Sequence, residues 1–284
     1  MELLFAPLFS GSSGNCIYVG TEDCAVLVDA GMSATAILNE MKGASLRPSA
    51  VKGILVTHEH TDHVNGAGVL ARKLRVPIYA TEGTWEGMTH VIDRHGNHRD
   101  YIGKLEPGMR RVIETGSDFY IDRMNISSFP IPHDCSDPCG YAFCLEGMRA
   151  AVSTDIGCVK DSWTEVVNGS QLVLLESNYD PDMLMAGPYP FHLKRRIMGK
   201  KGHLSNEDSA SAAVGLINGG ARRIILGHLS KENNFPELAL GTNADVLRKN
   251  GILPGRDVMV DAARRDGLTG VYRISAGSGT ERII

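Results

Sequence analysis

The run THEHTDH at residues 57–63 follows the apolar segment GILV and contains four possible metal ligands spaced H-x-H-x-D-H. In an extended chain, His58 and His60 point to the same side, because side chains alternate along a strand. Asp62 and His63 come where the chain is expected to turn into a helix, so they can point to a second position nearby. Imidazole and carboxylate groups suit zinc, manganese or iron. The spacing therefore predicts two divalent ions roughly 3.5–4 Å apart, a common hydrolytic arrangement.

A centre with two ions needs about three more ligands, including a carboxylate that bridges the ions. Three candidates follow apolar, strand-like segments and stand beside a small residue or a turn: His133 in IPHD, Asp155 in STDIG and His228 in LGHLS. Each of them alone would more often be structural. The alternative for the run itself is a solvated loop, but exposed histidines seldom cluster at this spacing beside a buried strand. Together, the run and the three candidates complete a ligand set.

The elements that position these residues can be predicted from short apolar segments separated by Gly, Ser and Asn turns. Strands are predicted at residues 15–20, 24–31, 53–60, 124–131, 141–147, 149–157, 172–178 and 223–230. Helices are predicted at 33–43, at 244–251, and after Ser205, which opens a capping box with Asp208 and precedes a stop at Gly219. The pattern indicates an α/β fold in which two packed sheets carry helices on the outside and chemistry at the strand ends.

Composition excludes several classes of protein. The chain has 284 residues, 43% hydrophobic and 22% charged, as in an ordinary globular enzyme. Its net charge of −4 means that any site for a polyanion must be a local basic patch. An early Glu2 argues against a signal peptide, and no apolar run reaches the roughly 18 residues of a membrane span. We therefore expect one cytoplasmic domain, residues 1–284, with six reduced cysteines and no membrane part.

A basic strip lies in the stretch between Asp182 and Glu207, which contains no acidic residue. Its cations are Lys194, Arg195, Arg196, Lys200 and Lys201. On an acidic protein, such a strip can follow a phosphate backbone, and we expect Lys194, Arg195 and Arg196 to hold phosphates. The alternative is a solvated helix face.

Two residues beyond the metal ligands point to a leaving-group role. His203 closes the basic strip and Glu176 ends a predicted strand, so Glu176 could orient His203 to donate a proton to a leaving alkoxide. The alternative is a capping histidine and a surface glutamate. Ser205 and Asn206, at the start of a helix, are suited to holding phosphate oxygens. A lactam or thioester hydrolase would leave these features without a role, so they favour a phosphodiesterase.

The order of the ligands, H-x-H-x-D-H followed by a lone His, a lone Asp and a final His, resembles the metallo-β-lactamase superfamily along nearly the whole chain. This resemblance implies an αββα sandwich with the site at one edge. It implies one ion on His58, His60 and His133, a second on Asp62, His63 and His228, and Asp155 as the bridge. It also implies that Asp29 in LVDAG is buried and steadies the histidine loop, for which a helix N-cap is the alternative.

Longer segments resemble the YycJ/WalJ group of bacterial nucleases in that superfamily, among them FSGSSGNCIYV, PHDCSDPCGY, YPFHLKRRIMGKKGHLSNEDSA and LGHLSKENNFPELA. The group implies a 5′-to-3′ DNA exonuclease with a repair role, which uses two divalent ions (zinc, manganese or iron) and DNA as partner. Transfer-RNA-processing members of the superfamily carry a Glu and a His in places that match Glu176 and His203. Asp62 is expected to position the attacking water.

Two alternatives stay within the same fold: a phosphodiesterase for cyclic or dinucleotide substrates, and an RNA-processing nuclease. The interval from Asp155 to His228 leaves no room for the inserted domain of the RNA-cleaving branch, which counts against the latter.

Several polar or reactive residues near the motifs are predicted to have structural roles. Ser12, Ser13 and Asn15 form a polar turn that could line the site, although an ordinary turn is the simpler interpretation. Cys135 and Cys139 flank His133 and are predicted to be packing or turn residues, because the ligand set is complete without them. The histidines at positions 95 and 98, in the polar stretch DRHGNHRD, and the one at position 90 are predicted at the surface.

Overall fold

The computed structural model describes residues 2–92, 98–276 and 279–284. The strands, in chain order, are β1 (Glu2–Phe9), β2 (Cys16–Gly20), β3 (Ala25–Val28), β4 (Val51–Leu55), β5 (Ile78–Ala80), β6 (Val91–Ile92), β7 (His98–Arg99), β8 (Arg110–Val112), β9 (Asp118–Ile121), β10 (Met124–Pro130), β11 (Cys139–Leu145), β12 (Met148–Ser153), β13 (Leu172–Glu176), β14 (Arg223–Gly227), β15 (Met259–Ala262), β16 (Tyr272–Ser275) and β17 (Gly279–Arg282). The helices are α1 (Ala34–Gly43), α2 (Thr61–Val64), α3 (Ala67–Leu74), α4 (Glu82–Thr89), α5 (Asp161–Val167), α6 (Pro181–Ala186), α7 (Phe191–Ile197), α8 (Asn206–Asn218) and α9 (Pro236–Lys249).

Within the described residues, the strands form two large sheets and the small ribbon β6–β7. The first sheet has the order β17-β16-β1-β2-β3-β4-β5-β8, and the second has the order β15-β14-β13-β12-β11-β10-β9. In each sheet, antiparallel neighbours continue into parallel ones, from β3 to β8 and from β12 to β15. Parallel neighbours need crossover connections, which explains why helices follow β3, β4, β5, β12, β13 and β14. Each sheet is therefore built in the same way, with antiparallel strands followed by parallel strands that helices connect.

Alternation along the strands creates the layers. In β13, Leu172 and Leu174 join the core between the two sheets, whereas Val173 and Leu175 join the core beneath α5, α8 and α9. In β1, residues 3 and 5 face the same central core, and residues 4, 6 and 8 face the core beneath α1, α3 and α4. Because both faces are covered, these strands are continuous apolar runs. The predicted α/β class and αββα sandwich are confirmed.

The helix boundaries show which helix ends could be predicted from the local sequence pattern. Ser33 Oγ accepts a hydrogen bond from Ala36 N at the start of α1, which ends at Gly43 as predicted. Ser205 Oγ accepts from Asp208 N at 3.0 Å, as the capping box predicted. The predicted start of α9 at residue 244 is wrong, since the helix begins at Pro236. Proline is favourable at a first helical position, because the N–H that it lacks would have no partner there.

The described ends of the chain meet in the first sheet, where β1 pairs antiparallel with β16 and β16 pairs with β17. Among the described residues, we find no helix with the length and hydropathy needed to cross a bilayer.

Candidate metal centre

The carboxyl ends of several strands meet at one edge of the sandwich, and the candidate residues come at these ends. Asp29 follows β3, Asp155 follows β12, Glu176 ends β13 and His228 follows β14. Three of them adopt left-handed φ angles: 60° at Asp29, 59° at Asp155 and 53° at His228. Such a conformation costs a residue with a side chain about 1–3 kcal/mol. The fold therefore maintains sharp turns that bring these side chains to one place.

The first candidate ligand group consists of three histidines from two loops. His58 Nε2 lies 3.1 Å from His60 Nδ1, and His60 Nδ1 lies 3.3 Å from His133 Nε2. The outer nitrogens are held in place, because His58 Nδ1 lies 2.9 Å from Thr57 Oγ1 and His133 Nδ1 donates to the Gly202 carbonyl at 3.1 Å. Contacts of this kind set the orientation of metal-binding histidines. The inner nitrogens, His58 Nε2, His60 Nδ1 and His133 Nε2, therefore face one another.

The second group adjoins the first through Asp155. Asp62 Oδ2 lies 3.6 Å from His63 Nε2 and 3.5 Å from His228 Nε2. Asp155 Oδ2 lies 3.3 Å from His63 Nε2, and its Oδ1 lies 3.8 Å from His133 Nε2. The structure thus brings all of the predicted ligands together, with Asp155 next to members of both groups.

Buried polar atoms at this edge fit a pair of divalent ions. Asp155 Oδ2 and His228 Nε2 are buried and find no hydrogen-bond partner among the described residues. A buried polar atom in that state costs about 1–3 kcal/mol, and more if it is charged. Possible ligand atoms lie within 4.8 Å of one another in overlapping sets, which include His58/His60/His133 and Asp62/His63/His228. Cations placed among these atoms would satisfy them.

Electrostatics distinguish the two groups. Burial, with His63 nearby, holds the pKa of His58 well below its usual range. Burial also lowers the pKa of His63, but Asp155, Asp29 and Asp62 outweigh it and raise this pKa to about 9. Burial would raise the pKa of Asp155, yet His228 and His63 hold it well below its usual value. The carboxylates of the second group therefore raise the proton affinity of its histidines, and a divalent ion at this position would compete with protons.

Asp29 holds the histidine loop from beneath. Its Oδ1 accepts from Thr57 N at 2.8 Å and its Oδ2 lies 2.8 Å from His63 Nδ1, so His63 Nε2 faces the centre. Gly31 allows the loop to approach, because a Cβ there would lie 1.7 Å from the Asp62 carbonyl oxygen. The N-cap alternative for Asp29 is wrong, since Ser33 caps α1.

Replacing Asp29 with asparagine should weaken metal binding by about 10–100-fold, the usual loss when a partner that orients a ligand is removed. The amide cannot supply the negative charge that holds His63 Nδ1–H, so Nε2 is no longer presented to the ion. Competition with a chromophoric chelator measures the affinity. Ser33→Ala is the control: it should cost about 1 kcal/mol of stability and leave metal affinity unchanged. Equal affinities for wild type and Asp29→Asn would refute this role.

Glu176 joins two histidines at the edge of the centre. Its Oε1 lies 2.7 Å from His203 Nδ1 and 3.0 Å from His228 Nδ1, and its Oε2 accepts from Ile156 N at 2.6 Å. Glu176 is fully buried, whereas the His203 side chain is 20% exposed. The surface-glutamate alternative is therefore wrong. Because Nδ1 of His203 is occupied by Glu176, Nε2 is the nitrogen available to a substrate.

Lys194 does not have its predicted role. Its side chain is buried, and Nζ donates to the Met185 carbonyl at 2.6 Å and to the Gly187 carbonyl at 2.8 Å. A buried ammonium group must be hydrogen-bonded, and the carbonyls at a helix C-terminus suit a cation. Lys194 therefore ties α7 to the end of α6 and is not free to hold phosphate. Arg195 is exposed, and Arg196 forms an ion pair with Asp134 beside His133.

Ser205 and Asn206 are also used inside the fold. Ser205 Oγ serves as the N-cap of α8. Asn206 Oδ1 accepts from Ser177 Oγ at 2.6 Å and from Asn234 Nδ2 at 2.9 Å, and the Asn206 side chain is fully buried. The prediction that these side chains bind phosphate is corrected: the capping and the buried network already occupy their polar atoms.

The N-terminal turn contributes one residue to the centre. Asn15 is buried, its N donates to the Asp62 carbonyl at 2.8 Å, and its Nδ2 lies 3.1 Å from His63 Nε2. Ser12 and Ser13 are exposed. Among the histidines predicted at the surface, the one at position 90 is exposed, and the side chains at positions 95 and 98 lie outside the part of the chain that the structure describes.

Two residues that hold His228 were not predicted. Asn178 Nδ2 donates to the His228 carbonyl at 2.8 Å, and Ser10 Oγ accepts from His228 N at 3.0 Å. These partners stand 50 and 218 positions away in the sequence. No local pattern marks them, because both are single small polar residues after strands.

Comparisons with known proteins agree with this geometry. Residues 25–229 match the family model described as "Beta-lactamase superfamily domain". The chain is 41% identical over 251 residues to "Exodeoxyribonuclease YycJ" of Bacillus anthracis, an alignment that covers 88% of this chain and 91% of the relative. It is 37% identical over 256 residues to "Exodeoxyribonuclease WalJ" of Streptococcus pneumoniae D39, with 90% and 92% covered.

The crystal structure of the metallo-β-lactamase fold protein YhfI from Bacillus subtilis superposes with a TM-score of 0.69 at 14% identity, covering 96% of this chain and all of the other. At that identity the match shows the shared fold. With the family model and the two relatives, it establishes that the chain belongs to the metallo-β-lactamase superfamily and, within it, to the YycJ/WalJ group.

Proposed function

We propose that this chain is a metal-dependent exodeoxyribonuclease that degrades DNA from a 5′ end, in keeping with a role in DNA repair. One observation carries the proposal. His203 lies against the centre, with Nδ1 2.7 Å from Glu176 Oε1 and 3.7 Å from Asp155 Oδ1. A proton donor in this place serves a poor leaving group such as a DNA alkoxide. The two relatives are exodeoxyribonucleases by name, which supports the same substrate.

The proposed ligands are His58, His60 and His133 for one ion, Asp62, His63 and His228 for the other, and Asp155 for both. Zinc or manganese is proposed, and iron suits the same ligands. When bound, such ions supply the Lewis acidity that polarises a phosphate and activates water.

The chain's own residues would handle the protons. Burial raises the pKa of Asp62, but His63 and His228 outweigh it and hold the pKa below its usual value, so Asp62 stays a carboxylate. Its side chain is 22% exposed and can accept a hydrogen bond from the attacking water. Glu176 would stabilise the imidazolium form of His203, whose Nε2 would then give its proton to the leaving oxygen and leave a neutral imidazole. Because His203 is partly exposed, solvent can restore that proton.

Exposed cations stand beside the centre. The segment 200–203 lies against it, since the Gly202 carbonyl accepts from His133 Nδ1 and a Cβ on Gly157 would lie 2.4 Å from the Lys200 carbonyl oxygen. The side chains of Lys200 and Lys201 are exposed, as is that of Arg195 on α7. A nucleic acid strand that leaves the centre along this segment would meet these three cations. We propose that Arg195, Lys200 and Lys201, and not Lys194, bind the phosphate backbone.

Changing Arg195, Lys200 and Lys201 together to alanine should weaken DNA binding and reduce its dependence on salt. Each lost phosphate contact should lower the slope of log K against log salt by about one. Hydrolysis of bis-p-nitrophenyl phosphate should be unchanged, because one small diester reaches the centre without these contacts. Fluorescence anisotropy at several salt concentrations and a colorimetric rate provide the two measurements. Arg196 is kept, because its loss would free Asp134 beside His133.

A control variant removes two exposed cations, Arg248 and Lys249, from the last turn of α9. This pair lies at the opposite end of α9 from Pro236, about one helix length away. Its removal should change neither DNA binding nor the salt dependence of that binding. If the triple variant loses the small-diester activity in parallel with DNA binding, the strip is structural, and the cyclic or dinucleotide phosphodiesterase gains support.

The substrate is tested by incubating metal-loaded protein with single-stranded DNA, duplex DNA and RNA, each labelled at the 5′ or the 3′ end. We expect mononucleotides to be released first from the 5′-labelled DNA. Preferential cleavage of RNA would support the RNA-processing alternative, and release from the 3′ end would reverse the polarity. Activity on small diesters with no nucleic acid cleavage would contradict the proposal.

We further propose that residues 1–284 act as one domain in the cytoplasm. The pairing of β1 with β16 supports one domain. All six cysteines are free thiols, which favours a reducing compartment.

A further inference from the structure

We propose that Cys135 is a fourth ligand of the position formed by His58, His60 and His133, which makes the two metal positions chemically unequal. A thiophilic ion such as zinc would occupy this position, beside a harder ion such as manganese at the Asp62/His63/His228 position. The inference goes beyond the exodeoxyribonuclease activity and rests on the metal centre proposed for it.

The distances from His60 Nδ1 are those expected for three nitrogens and one sulfur around a single ion, to which the proposed bridge Asp155 adds an oxygen. Zinc bonds of about 2.05 Å to nitrogen and 2.3 Å to sulfur place two nitrogens about 3.3 Å apart, and a nitrogen and a sulfur about 3.6 Å apart. His60 Nδ1 lies 3.1 Å from His58 Nε2, 3.3 Å from His133 Nε2 and 3.7 Å from Cys135 Sγ. One atom from each of the four side chains lies within 4.8 Å of the others. Cys135 is therefore already at ligand distance.

The loop that carries Cys135 is anchored to the metal-ligand run. Ser136 N and Oγ both donate to Glu59 Oε1 at 2.8 Å, and Glu59 stands between His58 and His60 in sequence. On the other side of the loop, Thr81 Oγ1 donates to the Asp137 carbonyl at 2.8 Å. These anchors hold the thiol against the imidazole of His60.

The surroundings of Cys135 differ from those of a packing cysteine. Cys139 belongs to the hydrophobic core between the sheets, whereas Cys135 Sγ lies 3.4 Å from His60 Nε2. Three imidazoles and a thiolate form a soft ligand set, which prefers zinc to manganese. Two carboxylates with two imidazoles form a harder set, which suits manganese. Binding of the soft ion releases the thiol proton to solvent.

Cobalt(II) substitution tests the ligand directly, because a cobalt–thiolate bond gives a near-ultraviolet charge-transfer band that imidazole and carboxylate ligands do not give. Wild type should show the band, and Cys135→Ala and Cys135→Ser should lack it. Serine keeps the volume of the side chain, so it separates loss of the ligand from loss of folding. The control Cys24→Ala should keep the band, because Cys24 is half-buried at the opposite end of β3 from Asp29.

Zinc affinity and thiol protection provide independent readouts. Cys135→Ala should bind its tighter zinc ion at least 10–100-fold more weakly, the loss known even for partners that only orient a ligand. One equivalent of zinc should protect Cys135, and not Cys24, from N-ethylmaleimide, as read by peptide mass spectrometry. No band in wild type, a band retained in Cys135→Ala, or equal alkylation with and without zinc would overturn the inference.

DNA cleavage by the same samples separates the two proposals. Loaded wild type that cleaves DNA without a thiolate band would refute the role of Cys135 alone. A thiolate band on protein that does not cleave DNA would refute the exodeoxyribonuclease proposal alone.

Discussion

Asp155→Asn should remove at least one ion from the loaded protein and reduce DNA hydrolysis by more than the roughly 10²–10⁴-fold that loss of a general acid costs. Asp155 contacts members of both ligand groups, with Oδ2 3.3 Å from His63 Nε2 and Oδ1 3.8 Å from His133 Nε2. An amide provides one neutral oxygen in place of a carboxylate, so two cations would lose the anion between them. Metal analysis after gel filtration and a DNA cleavage rate measure the two effects.

Asparagine is the informative substitution because Asp155 has a φ of 59°. Asn tolerates this left-handed conformation, whereas alanine would add backbone strain to the loss of charge. Asp161→Ala, an exposed aspartate at the start of α5, is the control and should retain both ions and full activity. Two ions per chain and an unchanged rate in Asp155→Asn would remove Asp155 from the centre.

His203→Ala should lose about 10²–10⁴-fold in rate on DNA and far less on bis-p-nitrophenyl phosphate, with both ions retained. The DNA leaving group is an alkoxide of high pKa that needs a proton, whereas p-nitrophenolate is stable without one. His203 is placed for this role, since its Nδ1 lies 2.7 Å from Glu176 Oε1 and its Nε2 is left for the substrate. Parallel rate measurements on the two substrates, with metal analysis, test the prediction.

His192→Ala provides the matched control, because His192 is an exposed histidine on the neighbouring helix α7. Glu176→Gln should affect both substrates, since Glu176 Oε1 also lies 3.0 Å from His228 Nδ1 and so orients a proposed ligand. Loss of metal in His203→Ala would make His203 a ligand. Equal losses on both substrates would leave it a role in ground-state binding or folding, without acid catalysis.

The candidate ligands could be proposed from the sequence because their positions depend on local geometry. Side-chain alternation places His58 and His60 on one side of the chain, and an apolar strand before His228 or Asp155 ends where a functional side chain can leave the sheet. Short apolar segments between Gly, Ser and Asn turns predicted the strands, and their succession with helices predicted two packed sheets with helices outside. These features need a few neighbouring residues, and the structure confirms the fold that they indicated.

Phosphate binding could not be assigned from the sequence, because the charge and polarity of a side chain do not determine whether it is buried or exposed in the fold. Lys194 and Arg195 are adjacent in the basic strip, yet α7 turns Lys194 toward the carbonyls at the end of α6 and Arg195 toward solvent. Asn206 is buried against Ser177 and Asn234. Which residues of a polar segment are free depends on helix phase and on the elements packed against them.

By itself, the sequence pattern indicated an α/β fold of two sheets with helices outside and the residue types of the candidate metal centre, since both follow from patterns within a strand or a turn; the αββα sandwich was implied by the family resemblance. The tertiary structure decided which distant groups contact the histidines of this centre. Asp29 contacts His63, Glu176 contacts both His203 and His228, and Cys135 lies beside His60. These contacts join residues 34, 27, 52 and 75 positions apart. Only the packing of the two sheets brings their strand ends to one edge, and no local periodicity encodes which end will meet which.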